Sequence, residues 1–315
     1  MEAVALIQCD LSEPGITRRR YGRGFSYSGP DGKKITDAAL IDHLKSLAIP
    51  PAWTNVWICT DPRGHIQATG DDDAGRTQYI YHPQWRIHQD EVKFNRTLEV
   101  GDALPTARAR VTRLLRREDG DRDKILAIAF RLLDLGAIRV GNEAYALQNG
   151  SYGLTTMLIK HVQCDGSTVR LCFPAKSGQT VDTEITNKNL VEALQPLLDR
   201  PRTQPVLAWR QGSDWHPLTS GMVNDFLREV TGVEMTAKDF RTWHATVIAA
   251  RALARGSTPT QAVEEVAEHL QNTPTIARNS YIDPRVFKLF DQCHTLNART
   301  YREAERNLRA FLERT

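Results

Sequence analysis

Five scattered residues have the side chains that a phosphoryl-transfer site needs: Arg139, Lys176, Arg241, Asn272 and Tyr281. Phosphodiester transfer without a metal requires a nucleophile, donors for the charged equatorial oxygens and an acid for the leaving oxygen. A tyrosine can form a covalent phosphotyrosine, an arginine can bind two phosphate oxygens, and a lysine can deliver a proton. Composition and spacing alone leave this hypothesis open, because single basic residues usually lie on the surface and tyrosines at helix ends usually pack.

The segment that leads to Tyr281 is predicted to be a two-turn helix. Thr273 is a suitable N-cap residue, and Pro274 suits the first helical position. Pro284 disfavours the α conformation of the residue before it, so the helix should end shortly after Tyr281. The phenol is therefore expected near a helix end, where it can face a ligand.

The other candidates are expected where predicted helices and strands begin or end. Arg139 follows a helix whose apolar residues recur at helical spacing, with Gly136 as a suitable cap. Lys176 falls at the tip of a predicted β-hairpin, and Arg241 lies near the start of a helix predicted over 237–255. Side chains at such positions can converge on one site.

The sequence predicts an α+β protein with two domains, since 315 residues exceed the usual size of one domain. Residues 1–92 are rich in short runs of β-forming residues separated by turns. A polar stretch over 93–104 is predicted to be a linker. Residues 105–315 are predicted to be mainly helical, with a small antiparallel sheet that begins at the Asp165-Gly166 hairpin signal.

Composition is ordinary for a soluble globular protein, with 41% hydrophobic and 25% charged residues and a net charge of +3. Arginine runs near 18–23 and 108–117 are typical of solvated faces, although two such runs also suit a nucleic-acid partner. The five cysteines lack the spacing of a zinc or redox site, so we expect reduced thiols and no metal. With no secretory leader or membrane-length apolar run, a cytoplasmic protein is expected.

Several stretches match one known family in order and with compatible spacing: IPPAW (49–53), GRTQYIYH (75–82), AIRVGNE (137–143), YGLTT (152–156), FPAKSG (173–178), KDFRTW (238–243) and NTPTIARNSY (272–281). In these motifs the chain resembles the type IB DNA topoisomerases, in the compact form found in poxviruses and bacteria. The resemblance covers nearly the whole chain. Any one motif is weak, and the ordered set is specific.

The resemblance implies a role for each matching catalytic residue. Tyr281 would attack the scissile phosphate and hold the 3′ end of the cut strand, while Arg139 and Arg241 would stabilise the transition state. Lys176 would protonate the departing 5′ oxygen, with help from Arg139. The uncut strand would allow rotation before religation, so supercoiled DNA would be relaxed without ATP, a metal or another cofactor.

Asn272 departs from the commonest pattern of that family, because many members carry histidine there. An amide can donate a hydrogen bond to a nonbridging oxygen but cannot become cationic. We therefore expect Asn272 to supply orientation and a neutral hydrogen bond. His269, three residues earlier, is expected to pack or cap rather than replace the histidine.

The resemblance also implies DNA contacts for Arg76, Gln78, Tyr79 and Tyr81; Asn142 and Tyr145 follow Arg139 at helical spacing and could reach the groove or the backbone. The first four lie in the N-terminal domain, which would clamp double-stranded DNA against the catalytic domain. Side chains alternate along a strand, so the first two should face away from the two tyrosines. Either that strand is bent or only part of the set contacts DNA. For Tyr145, a place in the core is nearly as good an interpretation.

Two other functions are compatible with parts of the sequence. A tyrosine recombinase would use the same Arg, Lys, Arg and Tyr chemistry, but recombinases usually carry histidine where this chain has Lys238, and their N-terminal domains are typically helical. A non-catalytic DNA-binding protein would have no need to retain the nucleophile and all three basic catalytic residues. The sequence therefore favours a monomeric topoisomerase acting on duplex DNA.

Overall fold

The computed structural model describes residues 5–117 and 121–314, and it confirms the α+β fold. The chain divides into two compact units, residues 1–93 and residues 94–315. Among the described residues, no helix combines the length and the apolar character that crossing a membrane would require.

The N-terminal unit contains a five-stranded antiparallel sheet with strand order β2-β1-β3-β4-β5. Its strands are β1 (Ile16–Tyr21), β2 (Gly24–Ser28), β3 (Thr54–Ile58), β4 (Ile66–Asp71) and β5 (Thr77–Tyr81). Helix α1 (Ala38–Ser46) contributes Leu44 to a small core, where it joins Ile16, Val56, Ile58 and Ala68 of the sheet. One face of the sheet is thus fixed by burial, and alternation turns the neighbouring side chains to the other face.

The linker predicted over 93–104 is instead a buried stretch of helix α2 (Pro83–Leu115). Phe94, Leu98 and Leu104 are at most 5% exposed, and polar residues occupy the opposite side of the same helical turns. Gly101 is a packing site: a Cβ there would lie 2.2 Å from ring atoms of Trp243. The boundary between the two units falls between residues 93 and 94, inside this helix.

The C-terminal unit is mainly helical, as predicted. After the end of α2, its helices are α3 (Arg122–Gly136), α4 (Glu143–Asn149), α5 (Lys188–Leu194), α6 (Ser220–Thr231), α7 (Ala237–Ala254), α8 (Pro259–Leu270), α9 (Pro274–Ser280), α10 (Arg285–Asp291) and α11 (Tyr301–Leu312). Its strands are β6 (Val162–Asp165), β7 (Thr168–Pro174), β8 (Thr180–Thr186), β9 (Ala208–Gln211) and β10 (Asp214–Pro217). The first three form one antiparallel sheet and the last two form a hairpin.

Helices α3 and α7 form the centre of this unit. Phe130 of α3 meets Phe240 of α7 edge to face, with ring centroids 5.2 Å apart, and both rings are fully buried. Nearly every residue of α7 from 237 to 253 is buried, which is typical of a central helix surrounded by others. The ends of these two buried helices hold the arginines of the candidate site.

Candidate active site

Arg139 lies in the loop that follows α3. Ala137 ends this helix in a left-handed conformation (φ 45°), so the cap is one residue later than Gly136, where it was predicted. Gly136 is the last helical residue, and a Cβ there would lie 3.0 Å from the Ile185 side chain. The backbone carbonyl of Arg139 then accepts a hydrogen bond from the Leu154 N–H at 2.9 Å.

The YGLTT motif (152–156) packs directly against the Arg139 loop. Gly141 has φ 92°, and a Cβ on Gly153 would lie 2.5 Å from its Cα and 2.8 Å from the Arg139 carbonyl oxygen. The Thr155 hydroxyl donates to the carbonyl of Val140 at 3.0 Å. The two backbones are therefore in direct contact, which explains why glycines lie at both positions.

Arg241 is a buried cation in the second turn of α7, with 4% of its surface exposed. Its guanidinium donates to the carbonyl of Ala137 and, at 2.9 Å, to the carbonyl of Leu270. Among the described residues no carboxylate pairs with it, and its Nε is buried without a hydrogen-bond partner. Burial lowers the pKa of this guanidinium, but an arginine stays charged at neutral pH.

Asn272 connects Arg139 to the segment that carries the tyrosine. It follows α8, and its side-chain Oδ1 accepts a hydrogen bond from Arg139 Nη2 at 2.7 Å. Arginine has no acceptor, so this bond fixes which end of the amide faces Arg139. The Nδ2 atom then points elsewhere, is buried and has no partner among the described residues.

Tyr281 directly follows α9, which begins and ends as predicted. Thr273 caps the helix by accepting from the Ile276 N–H at 3.3 Å. The phenol ring is half-buried, and its centroid lies 5.0 Å from the guanidinium carbon of Arg241. This ring contact places a potential nucleophile next to the buried cation.

The charges around Tyr281 favour its ionised form. Burial raises the pKa of the phenol, but the positive charges of Arg241, Lys238 and Arg139 outweigh it, so the pKa falls below its usual value. Lys238 was missed as a candidate by sequence reasoning, which noted it only as a departure from recombinases. It lies one helical turn before Arg241 on α7, and that i,i+3 spacing is the signal that could have identified it.

Lys176 is not brought into contact with the other four candidates. It occupies the predicted hairpin tip, in a short 3-10 turn between β7 and β8. A 2.7 Å hydrogen bond from the Ala175 N–H to the Gln179 carbonyl closes this turn. The lysine side chain is exposed and makes no hydrogen bond or ion pair with any residue that the structure describes. Ala175 nevertheless lines the same small cleft as Arg139 and Arg241.

His269 lines this cleft and remains neutral. Burial, followed by the charges of His244 and Arg241, lowers the pKa of His269 to about 4. An imidazole with that pKa carries no positive charge at neutral pH. The finding agrees with a packing role and leaves Arg241, Lys238 and Arg139 as the cations that act on the phenol.

The four N-terminal candidates for DNA contact divide into two pairs, as strand alternation predicted. Tyr79 and Tyr81 are 44% and 39% exposed and stack with ring centroids 5.9 Å apart. Gln78 is half-buried and donates to Asp72 at 2.9 Å, and Arg76 pairs with the same carboxylate at 2.8 Å. The tyrosines thus share an exposed face of β5, and the other two side chains are held by Asp72.

The two remaining candidates lie at α4. Asn142 is exposed, immediately before the helix, and its carbonyl accepts from the Ala146 N–H at 3.0 Å. Tyr145 lies within α4, but its side chain is outside the part of the chain that the structure describes. Its assignment to DNA or to the core therefore stays a prediction.

Comparison with known proteins assigns both parts of the chain. Residues 82–304 match the family described as eukaryotic DNA topoisomerase I, catalytic core. Residues 24–72 match the bacterial DNA topoisomerase IB N-terminal domain. The first match alone covers more than half of the chain and includes all five catalytic candidates.

Individual relatives agree with the family match. The DNA topoisomerase 1B of Acanthamoeba polyphaga mimivirus is 29% identical over an alignment of 293 residues that covers 88% of this chain and 87% of the viral protein. Two solved structures of the XerH site-specific recombinase bound to difH substrates, before and after cleavage, are 14% identical, with TM-scores of 0.37 and 0.39. They match 71% of this chain, which spans only 58% of their length, and a similarity this low does not bear on function. On the family match, the chain belongs to the type IB DNA topoisomerases.

Proposed function

We propose that this enzyme relaxes supercoiled duplex DNA by cutting one strand through a 3′-phosphotyrosyl intermediate at Tyr281, allowing rotation and rejoining the strand. The main support is the contact between the Tyr281 ring and the buried Arg241, which is paired with backbone carbonyls rather than with a carboxylate. Because no acid neutralises this guanidinium among the described residues, its full charge is available to a phosphate.

In the cleavage step, the phenol oxygen of Tyr281 attacks the scissile phosphorus. The bond between phosphorus and the 5′ oxygen breaks as the bond to the phenol oxygen forms, and the phenol proton leaves to solvent. The 5′ oxygen takes a proton from Lys176 and becomes a free hydroxyl. Religation is the reverse reaction, and the phosphotyrosine keeps the energy of the broken bond, so the cycle needs neither ATP nor a metal.

Three donors are available to the charge that develops in the transition state. Arg241 Nε and Asn272 Nδ2 are both buried without a protein partner among the described residues, and Arg139 is held beside them by its bond to Asn272. Removing one preorganised donor of this kind slows the reaction, because the charge that develops in the transition state is then stabilised less well. The unpaired buried donors are therefore worth more to catalysis than to folding, where they are unfavourable.

Lys176 is the proposed general acid. Its exposed ammonium at the tip of a hairpin has no competing partner among the described residues, which supports delivery of a proton once DNA is bound. A DNA substrate with sulfur in place of the 5′ bridging oxygen at the cleavage site tests this role, because the departing thiolate does not need to be protonated. We expect Lys176→Ala to be slow on normal DNA and close to wild type on the sulfur-containing substrate.

For DNA binding, we propose that the N-terminal unit contacts the duplex through the exposed face of Tyr79 and Tyr81. Arg76 and Gln78 would support that surface through Asp72, and Asn142 and Tyr145 would contact DNA from the catalytic unit. We expect a cytoplasmic enzyme that acts as a monomer, so the relaxation rate should rise linearly with enzyme concentration.

The decisive experiment incubates the purified protein with negatively supercoiled plasmid, excess chelator and no ATP. A ladder of partly relaxed topoisomers is expected, and a 5′-labelled nicked strand should carry the protein on its 3′ end. Tyr281→Phe should bind DNA but form no covalent adduct. Strand exchange at paired sites without relaxation would refute the proposal in favour of a recombinase, and DNA binding without any adduct would refute catalysis.

A further inference from the structure

Four helices meet near the candidate site in a largely buried polar cluster. It consists of Arg108 on α2, Asp134 on α3, Trp243 and His244 on α7, and Tyr301 and Glu305 on α11, and we call it the rear cluster. None of these residues was a catalytic candidate in the sequence. Together they connect the last helix of the chain to the two helices that hold the arginines.

Arg108 joins the two carboxylates of the rear cluster. Its Nε and Nη2 donate to Asp134 at 2.9 and 2.7 Å, and its Nη1 and Nη2 donate to Glu305 at 3.0 and 2.8 Å. The Asp134 side chain is completely buried. Burial raises its pKa, but His244 and Arg108 outweigh this effect and hold the pKa near 2, so the carboxylate stays charged.

Two consecutive residues of α7 are held by α11. Trp243 Nε1 donates to Glu305 Oε1 at 3.0 Å, and His244 Nδ1 forms a hydrogen bond with the Tyr301 hydroxyl. The other ring nitrogen of His244 lies 3.6 Å from Asp134 Oδ1. The two hydrogen bonds therefore orient α7 against α11, and Nε2 of His244 is buried without a hydrogen-bond partner among the described residues.

These contacts lie very close in sequence to the catalytic arginines. Trp243 and His244 come two and three residues after Arg241 on the same helix. Asp134 comes one helical turn before Ala137, whose carbonyl accepts a hydrogen bond from Arg241. A shift of α7 or α3 at the rear cluster would thus move the guanidinium directly, and misplacement by about 1 Å can slow a reaction roughly 100-fold.

We propose that the rear cluster positions Arg241 and the Arg139 loop for cleavage, with Tyr301 and Glu305 on α11 as positioning residues. This inference rests on the proposed function. Apolar residues of similar volume usually fill such a space with equal or better stability than buried ion pairs, so stability alone does not account for the cluster. Defined hydrogen-bond directions fix one arrangement of the four helices, which is what a site with preorganised donors needs.

Tyr301→Phe and Glu305→Gln test the proposal, because both changes keep the shape of the side chain. The first removes only the hydroxyl that bonds His244, and the second keeps an acceptor for Trp243 while weakening the contact with Arg108. Glu313→Gln is the matched control, since Glu313 lies at the exposed end of the same helix and pairs with Arg309. Each variant is assayed below its melting temperature.

The assay is single-turnover cleavage of a nicked DNA substrate, with DNA affinity measured separately in a Tyr281→Phe background. We expect the cleavage rate constant of both variants to fall by about 10- to 100-fold, with DNA affinity changed by less than about twofold and the control unchanged. The pH at which the cleavage rate constant reaches half of its maximum should be higher in both variants, because a displaced Arg241 guanidinium stabilises the Tyr281 phenolate less well.

A purely structural role predicts a different result: lower melting temperatures with an unchanged rate constant and an unchanged pH midpoint in the folded protein. That outcome would overturn the inference, as would equal losses of affinity and rate. Failure of the proposed function is distinguishable, since in that case wild type itself would form no adduct.

Discussion

The substitution Asn272→Asp tests the roles of the two polar atoms of the Asn272 amide separately. Oδ1 lies 2.7 Å from Arg139 Nη2, so one carboxylate oxygen of the Asn272→Asp variant can keep that contact. The other oxygen replaces Nδ2, the buried donor without a partner among the described residues. The variant therefore presents an acceptor and a negative charge where we propose that a phosphate oxygen binds.

The expected effect has two parts. Loss of a hydrogen bond to a charged group is worth about 1.5–3 kcal/mol, which corresponds to about 10- to 150-fold in rate. The new charge adds repulsion of about 4 kcal/mol for two unit charges about 4 Å apart at an effective dielectric constant near 20. Pairing of the new carboxylate with Arg139 offsets part of this repulsion. A net further loss of about 2 kcal/mol of transition-state stabilisation would slow cleavage by roughly another 30-fold.

Asn272→Ala is the comparison that isolates the donor, because it removes the amide without adding charge. In single-turnover cleavage we expect wild type to be fastest, alanine about 10- to 150-fold slower and aspartate slower again. Each variant's melting temperature and DNA affinity are measured in parallel. If the Asn272→Asp variant cleaved DNA as fast as the Asn272→Ala variant, or faster, then no phosphate oxygen would face Nδ2 and our assignment of this residue would be wrong.

Three further predictions concern the packing and the DNA surface. The pKa of Asp134, about 2, lies below that of a free aspartate, so this carboxylate contributes about 2 kcal/mol to the free energy of unfolding above pH 4, and the contribution is lost as the pH falls through 2. In urea unfolding, the stability difference between wild type and Asp134→Asn should therefore shrink over that interval. A difference that stays constant with pH would contradict the prediction. Gly101→Ala should lower the melting temperature, because the new methyl group would lie 2.2 Å from the Trp243 ring. Gly221→Ala is the control, since the nearest atom to its methyl group would lie 3.8 Å away, and its melting temperature should not change. Equal effects of the two substitutions would refute this packing argument. Tyr79→Ala should weaken DNA binding by about 1 kcal/mol, roughly fivefold in affinity, without changing the melting temperature. An unchanged affinity would show that Tyr79 does not contact DNA.

Local sequence patterns predicted the elements that local interactions decide. The short helix before Tyr281 follows from its own hydroxyl cap and proline, and the turn that carries Lys176 lies between two strands of opposite direction. The alternation of side chains along β5 likewise predicts that the two tyrosines face away from Gln78. In each case the responsible atoms are within a few residues in the chain.

Contacts between distant segments were not predictable in this way. The polar residues of 93–104 indicated a linker, because the sequence alone does not reveal that Trp243 and other core residues cover one side of that helix. The hydrogen bond between Arg139 and Asn272 joins residues 133 positions apart, and the charge of Lys238 reaches Tyr281 only in the folded chain. The family resemblance named most of these residues, but the pairing among them is a property of the packed helices.

The two carbonyls that hold Arg241 have a consequence for how such enzymes are compared and mutated. Every amino acid supplies a backbone carbonyl, so a substitution at position 137 or 270 does not by itself remove either acceptor. Alignments and alanine scans will therefore overlook this half of the arginine's support. Replacing the peptide bond after either position with an ester, which makes the carbonyl a weaker acceptor, would expose it.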